Sequence, residues 1–334
     1  MAKHLNINVR SKHFKHIEII KEEIKFKNIC FVSCLNEGFL YGGIGLIKSI
    51  RKFYTKDQAE IIIFVDKYIS KLEDLRSTLH FKIEYASNIY NWCAKYFNNT
   101  RFLNDKTHFY HPQYKPIIDN NTPNESGFGK IRHLHPLNLK AYCTGFAILE
   151  NNYDVIIHID SDAFLLSKID SIYRFLQIEN TIVGFDDLYT GWQDNFNKLY
   201  GINIIGINKM KYSLNAGVVF YRNGKMIKEL IKDFMWYIES CVHFKHSGLK
   251  DQGVLQSLIA KYHINNMINL FVLDATNWNP TWNRADNLFY KNGDWINLNN
   301  NKKQIIWHGA GSKKLWQKHY GSISVTNAWN WVNS

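Results

Sequence analysis

A chain of 334 residues with 46% hydrophobic and 15% aromatic content can bury a full core, which excludes a largely disordered protein. No apolar run approaches the ~20 residues of a membrane span, and the first thirty residues hold no apolar signal-peptide core, so a cytoplasmic protein without a transmembrane segment is expected. The formal charge of +12 favours anionic partners such as nucleotides, acidic glycans or nucleic acid, although a composition rich in Lys, Asn and Ile also follows from an AT-rich coding sequence.

Residues 1–27 are mixed and charged and read as a leader or edge element. Ile29-Cys30-Phe31-Val32-Ser33-Cys34 is the first expected strand; it runs into a glycine-bearing loop, Leu35 to Gly43, that opens a helix from Ile44 to Phe53. A strand end, a glycine turn and a helix N-terminus form a natural nucleotide site, which makes Ser33, Cys34 and Asn36 candidate binding residues. Ala59 to Asp66 is a second buried strand, followed by a helix over 69–79 and a short strand, Phe81 to Tyr85. Residues 88–135 break this α/β rhythm with Trp92, Phe97, Phe109, Tyr110 and Tyr114 among four histidines whose spacing matches no compact metal site. This insertion reads as an aromatic lid or acceptor platform. The five cysteines (Cys30, Cys34, Cys93, Cys143 and Cys241) match no zinc spacing and read as reduced thiols.

Leu137 to Glu150 is an expected helix that feeds the central stretch, Asp154-Val155-Ile156-Ile157-His158-Ile159-Asp160-Ser161-Asp162. Its Val/Ile run reads as a strand buried on both faces, as in a parallel sheet. Ligands of open α/β sheets gather at the carboxyl ends of such strands, where Asp160, Ser161 and Asp162 would lie. Two hard oxygen ligands there suit Mn²⁺ or Mg²⁺ shared with a diphosphate.

Beyond it come a helix from Ile169 to Gln177 and a strand, Thr181 to Asp187, that ends in Asp186 and Asp187. Asn215-Ala216-Gly217 stands before an apolar strand, Lys225 to Glu239 is an amphipathic helix, and Asp251-Gln252 opens another with its acid at the positive end. A last strand, Ile305 to Trp307, runs into a basic, glycine-containing loop from His308 to Trp316. The expected fold is a single α/β domain over 1–334: a nucleotide-binding part over 28–87, the insertion over 88–135, and a metal, donor and acceptor part over 136–320.

Taken together these motifs resemble the GT-A glycosyltransferases, family 8 most closely. The resemblance implies a Rossmann-like, mostly parallel sheet flanked by helices, with the aromatic insertion as its embellishment. It implies a nucleotide-sugar donor, with UDP as the usual carrier, a divalent ion held by Asp160 and Asp162, and a saccharide or glycoconjugate acceptor. His308, Gly311, Lys314 and Trp316 are similar to the family's closing His-x-x-Gly-x-x-Lys-Pro-Trp, in which the histidine is the third metal ligand and the lysine contacts phosphate; Leu315 stands in place of the proline. Asn215-Ala216-Gly217-Val218 resembles the segment beside the donor sugar, and Asp251-Gln252 the family's Asp-Gln pair. Phe39 falls near an aromatic residue against uracil, and Lys140 near a phosphate-contacting base. Retention of configuration is likewise implied, and Asp186, Asp187, Asp251 and Gln252 are the candidate groups for the back face of the anomeric carbon. Two other readings stay open at this level. The acceptor is alternatively DNA bearing a hydroxylated base, or the chain is a non-catalytic nucleic-acid binder that uses its basic surface.

Overall fold

The computed structural model describes residues 26–89, 92, 139–187, 213–241, 251–273, 288–298, 301–309 and 323–334. Most of the 88–135 insertion, together with Gly311 and Lys314, lies outside these residues.

In chain order come β1 (Ile29–Leu35), α1 (Leu40–Phe53), β2 (Glu60–Val65), α2 (Ser70–Leu79), β3 (Lys82–Tyr85), α3 (Leu139–Glu150), β4 (Val155–Ile159), β5 (Ala163–Leu165), the short α4 (Asp170–Tyr173) and β6 (Thr181–Asp187). They are followed by β7 (Ser213–Arg222), α5 (Lys225–Cys241), α6 (Asp251–Ile264), β8 (Asn269–Leu273), β9 (Leu288–Lys291), β10 (Asp294–Asn297), β11 (Lys302–Lys303), β12 (Ile306–His308) and α7 (Ile323–Asn333). Among the described residues the main sheet has seven strands in the order β3-β2-β1-β4-β7-β6-β8. Neighbouring strands run parallel except at β7, which is antiparallel to both β4 and β6.

Side-chain alternation along the strands splits the core into two layers. Cys30, Val32 and Ile156 pack with α3, α5 and α6 on one face. Phe31, Val155, Ile157 and Ile159 pack with α1 and α2 on the other. The central strand β4 is buried throughout, as expected, but only its β1 side is parallel.

Three local expectations are corrected. The stretch from Leu35 to Gly43 is not a glycine loop: a single 3₁₀ turn, Glu37–Phe39, leads directly into α1 at Leu40, so Gly42 and Gly43 are helical. Packing is the reason. A Cβ on Gly43 would collide with the Leu35 side chain, and one on Gly45 with the Trp329 ring of α7. The helix expected from Ile169 to Gln177 shrinks to α4, because the chain tightens into turns (Phe175 N–H to Ile172 O, Leu176 N–H to Tyr173 O) before Asn180 adopts φ 59°. In that left-handed conformation the Asn180 side chain accepts the Met226 N–H at 2.7 Å and caps the start of α5. Finally, Asn215-Ala216-Gly217 lies inside β7 rather than ahead of it.

The Gly45 contact yields a prediction. Although Ala favours helices by about 1 kcal/mol over Gly, Gly45→Ala should destabilise the protein by about 1–3 kcal/mol through overpacking against Trp329. Urea unfolding would show a lower midpoint at unchanged slope; an unchanged or higher midpoint would contradict the packing argument.

Candidate metal and donor site

Asp160 directly follows β4, and Asp162 comes after one buried serine in a tight turn closed by Ala163 N–H to Asp160 O at 3.0 Å. β5 then starts at once and pairs antiparallel with β12, in the register Leu165 to Ile306, Phe164 to Trp307 and Ala163 to His308. That register delivers a residue almost 150 positions downstream to the side of Asp162. It is fastened by Gly309 N–H to Asp162 O at 3.0 Å and by the Phe164 and Trp307 rings, stacked 5.2 Å apart. Such a ring pair contributes about 1 kcal/mol beyond its buried area.

His308 Nε2 lies 3.3 Å from Asp162 Oδ1 and 3.6 Å from Asp160 Oδ2. One ligand atom from each of the three residues falls within 4.8 Å of the others. β7 closes the floor. Its register against β6 shifts between Val183 and Phe185, so that residue 184 on β6 faces residues 216–219 on β7. Irregularities of this kind re-aim a strand locally. Gly217 O accepts the Asp160 N–H at 2.7 Å, and Gly217 N–H is held by Asn215 Oδ1 at 2.8 Å. A Cβ at Gly217 would fall 2.8 Å from Asp160 Oδ2 and 2.8 Å from His308 Nε2, inside van der Waals contact.

Lys140, on α3, reaches Asp160 Oδ1 at 2.8 Å and Asp251 Oδ2, at the start of α6, at 3.1 Å. Its side chain is 14% exposed, so this is a nearly buried bridge between two acids. Burial works against the Lys140 ammonium, but Asp160 and Asp251 raise its pKa. Burial likewise opposes the Asp160 carboxylate, yet Lys140, with His158 and His308, holds it well below the usual carboxylate range. Gln252 Oε1 accepts the Ala216 N–H at 3.3 Å, which ties α6 to β7 beside the cluster. Asp186 and Asp187 pair with Leu214 and Ser213. Those partners lie three to four residues before Gly217 on β7, roughly 10–14 Å at strand rise. Of the four expected back-face groups, the structure therefore links Asp251 to Asp160 through Lys140, sets Gln252 against Ala216 next to Gly217, and leaves Asp186 and Asp187 further out.

Ser33 is buried and Cys34 half-buried on β1, Asn36 is exposed just after it, and Phe39 packs half-buried against the core. Two residues at the cluster escaped the sequence reading: His158 on β4 and Thr144 on α3. The legible signal was a lone imidazole inside an apolar strand, two residues before Asp160 and hence on its face.

Two carboxylates and an imidazole, with a floor stripped of side chain at Gly217, fit a divalent cation that prefers oxygen and tolerates nitrogen. Without a cation, burial lowers the His308 pKa, but Asp162 and Asp160 outweigh burial and push it up to about 9. The folded pKa then exceeds the unfolded value of about 6.5, so the stabilisation from His308 is complete below that value and is lost as pH rises through about 9. A metal ligand must be the neutral imidazole, so binding below pH about 9 releases a proton. Mn²⁺ affinity should accordingly increase about tenfold per pH unit towards pH 9, measurable by titration between about pH 7 and about pH 9. A flat profile would remove His308 from the ligand set.

No protein-family model matches the chain, and no curated protein matches it. Solved structures do. WbbM, a bifunctional glycosyltransferase, superposes with a TM-score of 0.54 at 14% identity, over 92% of this chain and 49% of its own. GlyE of Streptococcus pneumoniae gives a TM-score of 0.49 at 11% identity, over 91% of this chain and 60% of that one. The galactosyltransferase LgtC, solved with donor and acceptor sugar analogues, gives 0.49 at 11% identity, over 91% and 95%. At such identities the likeness to WbbM shows the fold: this is a GT-A glycosyltransferase fold. The chain spans about half the length of the WbbM chain. Among the described residues no helix is long and apolar enough to cross a membrane.

Proposed function

We propose that the chain is a metal-dependent glycosyltransferase that moves a sugar from a nucleotide-diphosphate sugar, a UDP-sugar by preference, to a saccharide or glycoconjugate acceptor with retention. The observation that carries this is the meeting of Asp160, Asp162 and His308 from two distant segments at the carboxyl edge of a GT-A sheet. We assign the whole chain to one catalytic domain, with the nucleoside along Ser33, Cys34, Asn36 and Phe39, and acceptor recognition to the 88–135 segment. Mn²⁺ or Mg²⁺ is the proposed cofactor. When bound, such an ion supplies positive charge against which a nucleoside diphosphate can leave.

The protein's own residues do the rest. Asp160, Asp162 and His308 would hold the ion, and Ser161 presents the turn that separates the two acids. Lys140 compensates the partly buried charges of Asp160 and Asp251, so less of the +1 ammonium is left for a phosphate than an unpaired lysine would offer. Gly311 and Lys314 follow β12 in sequence and are assigned to the diphosphate. Asn215, Ala216 and Gly217 line the donor-sugar side, with Gln252 and Asp251 nearest the back face of its anomeric carbon. DNA acceptors gain no support from the described residues.

The test is a panel of nucleotide sugars incubated with and without Mn²⁺, with donor hydrolysis and transfer followed separately. Metal-dependent turnover of at least one donor is expected, strongest with a UDP-sugar. Turnover indifferent to exhaustive chelation would overturn the reading.

A further inference from the structure

We infer that His158, Thr144 and Lys140 form a positioning relay that fixes Asp160 so that one oxygen is spent inside the protein and the other is presented to the metal cluster. The inference rests on reading Asp160, Asp162 and His308 as a divalent-cation site. Asp160 Oδ1 receives two donors, Lys140 Nζ at 2.8 Å and His158 Nε2 at 3.3 Å. Oδ2 is the oxygen that faces His308 Nε2, at 3.6 Å. The two oxygens of one carboxylate thus have separate duties. Asp251, 3.1 Å from the same ammonium, anchors Lys140 from its other side.

The chemistry of the relay follows from what each group can donate. An ionised carboxylate has no proton to give, so His158 Nε2 must carry the hydrogen in this contact. In a neutral ring Nδ1 is then an acceptor, and Thr144 Oγ1, 3.0 Å away, must donate its hydroxyl to it. The opposite tautomer would set the Nε2 lone pair against the lone pairs of the Asp160 carboxylate, and the His158 ring, 2% exposed, and Thr144, 1% exposed, have little water to turn to instead. Thr144 and Lys140 stand four residues apart on α3, one helical turn, so a single helix face supplies both the ammonium and the hydroxyl. α3 therefore orients Asp160 twice, directly through Lys140 and indirectly through the His158 tautomer. Groups that orient a metal ligand in this way typically change metal affinity 10- to 100-fold (about one to two decades) when removed.

Thr144→Val keeps the β-branched shape and removes the hydroxyl. Two measurements test the relay, Mn²⁺ affinity from the electron paramagnetic resonance of free Mn²⁺, and the protonation of the His158 ring nitrogens in ¹⁵N-histidine-labelled, metal-free protein. The expected results are an Nε2–H tautomer in the wild type, a mixture of tautomers in Thr144→Val, an affinity loss of about tenfold, and recovery of most of that loss in Thr144→Ser. A merely structural threonine would lower thermal stability and leave the tautomer and affinity alone. The inference is overturned if Thr144→Val binds Mn²⁺ like the wild type, or if the wild-type ring is protonated on Nδ1 alone or on both nitrogens. Should Thr144→Val fail to fold, the wild-type ring spectrum decides by itself. Wild-type protein that shows the Nε2–H tautomer but binds no Mn²⁺ would instead overturn the metal-site reading.

Discussion

Asp162→Ala is expected to lower metal-dependent turnover about 10³-fold or more, and to abolish the thermal stabilisation that Mn²⁺ gives the wild type. Asp162 is the cleaner of the two acids to remove. Asp160 also receives Lys140 and His158, so its loss would leave an almost buried ammonium short of a partner. Asp162 instead meets the His308 ring at 3.3 Å and, through its backbone carbonyl, Gly309. Its truncation therefore tests the cluster and not the core. A divalent ion contributes several kcal/mol of charge stabilisation in the transition state, which sets the scale of about 10³. Mn²⁺ at about 100 times its dissociation constant should also stabilise the wild type by about 2.7 kcal/mol, read as a shift in melting temperature. The variant should show no shift. Equal shifts in both proteins, or undiminished turnover by Asp162→Ala, would dismantle the proposed site.

Gly217→Ala is expected to be nearly as damaging through a single methyl group. The added carbon must displace Asp160 Oδ2 or the His308 ring. Neither yields easily. Asp160 is held by Lys140 and His158, and His308 by the pairing of β12 with β5. The strain should therefore emerge as a separated ligand set, with Mn²⁺ affinity down on the order of 100-fold and stability down by about 1–3 kcal/mol. Isothermal titration with Mn²⁺ and urea unfolding measure the two effects independently. Wild-type affinity in Gly217→Ala would show that the cluster relaxes freely and that Gly217 matters for another reason.

Most of the fold was legible because its signals are local. The Val/Ile runs of β1, β2, β4 and β6 announce buried strands, and the 3.6-residue period announces α5. Asp160 and Asp162 were legible as candidate ligands for a similar reason: the strand that carries them shows where it ends. The glycines of α1 misled because glycine ordinarily weakens a helix, and the partners that demand it there, Leu35 and Trp329, lie on other elements. The early end of α4 was hidden as well, since it depends on Asn180 turning back to cap α5.

The sequence by itself determined the strand that carries the two acids, the alternation that divides the core into two layers, and the residue types able to hold a divalent cation. Those properties depend on neighbours within a few positions, and backbone sterics and side-chain period suffice to read them. Resemblance, not periodicity, nominated His308. Only the tertiary structure decided that β12 pairs with β5 in the register that sets His308 beside Asp162, that Gly217 clears the floor, and that Lys140 is engaged by Asp160 and Asp251. Strand pairing between distant segments is chosen by the packing of the whole core. Trp307 on Phe164, and Phe164 against Trp329 at 5.5 Å, belong to a hydrophobic cluster that forms only when β5, β9, β10, β12 and α7 come together. A one-residue slip of β12 would turn His308 to the opposite face, and the energy that forbids it resides in those rings, far along the chain from the two acids.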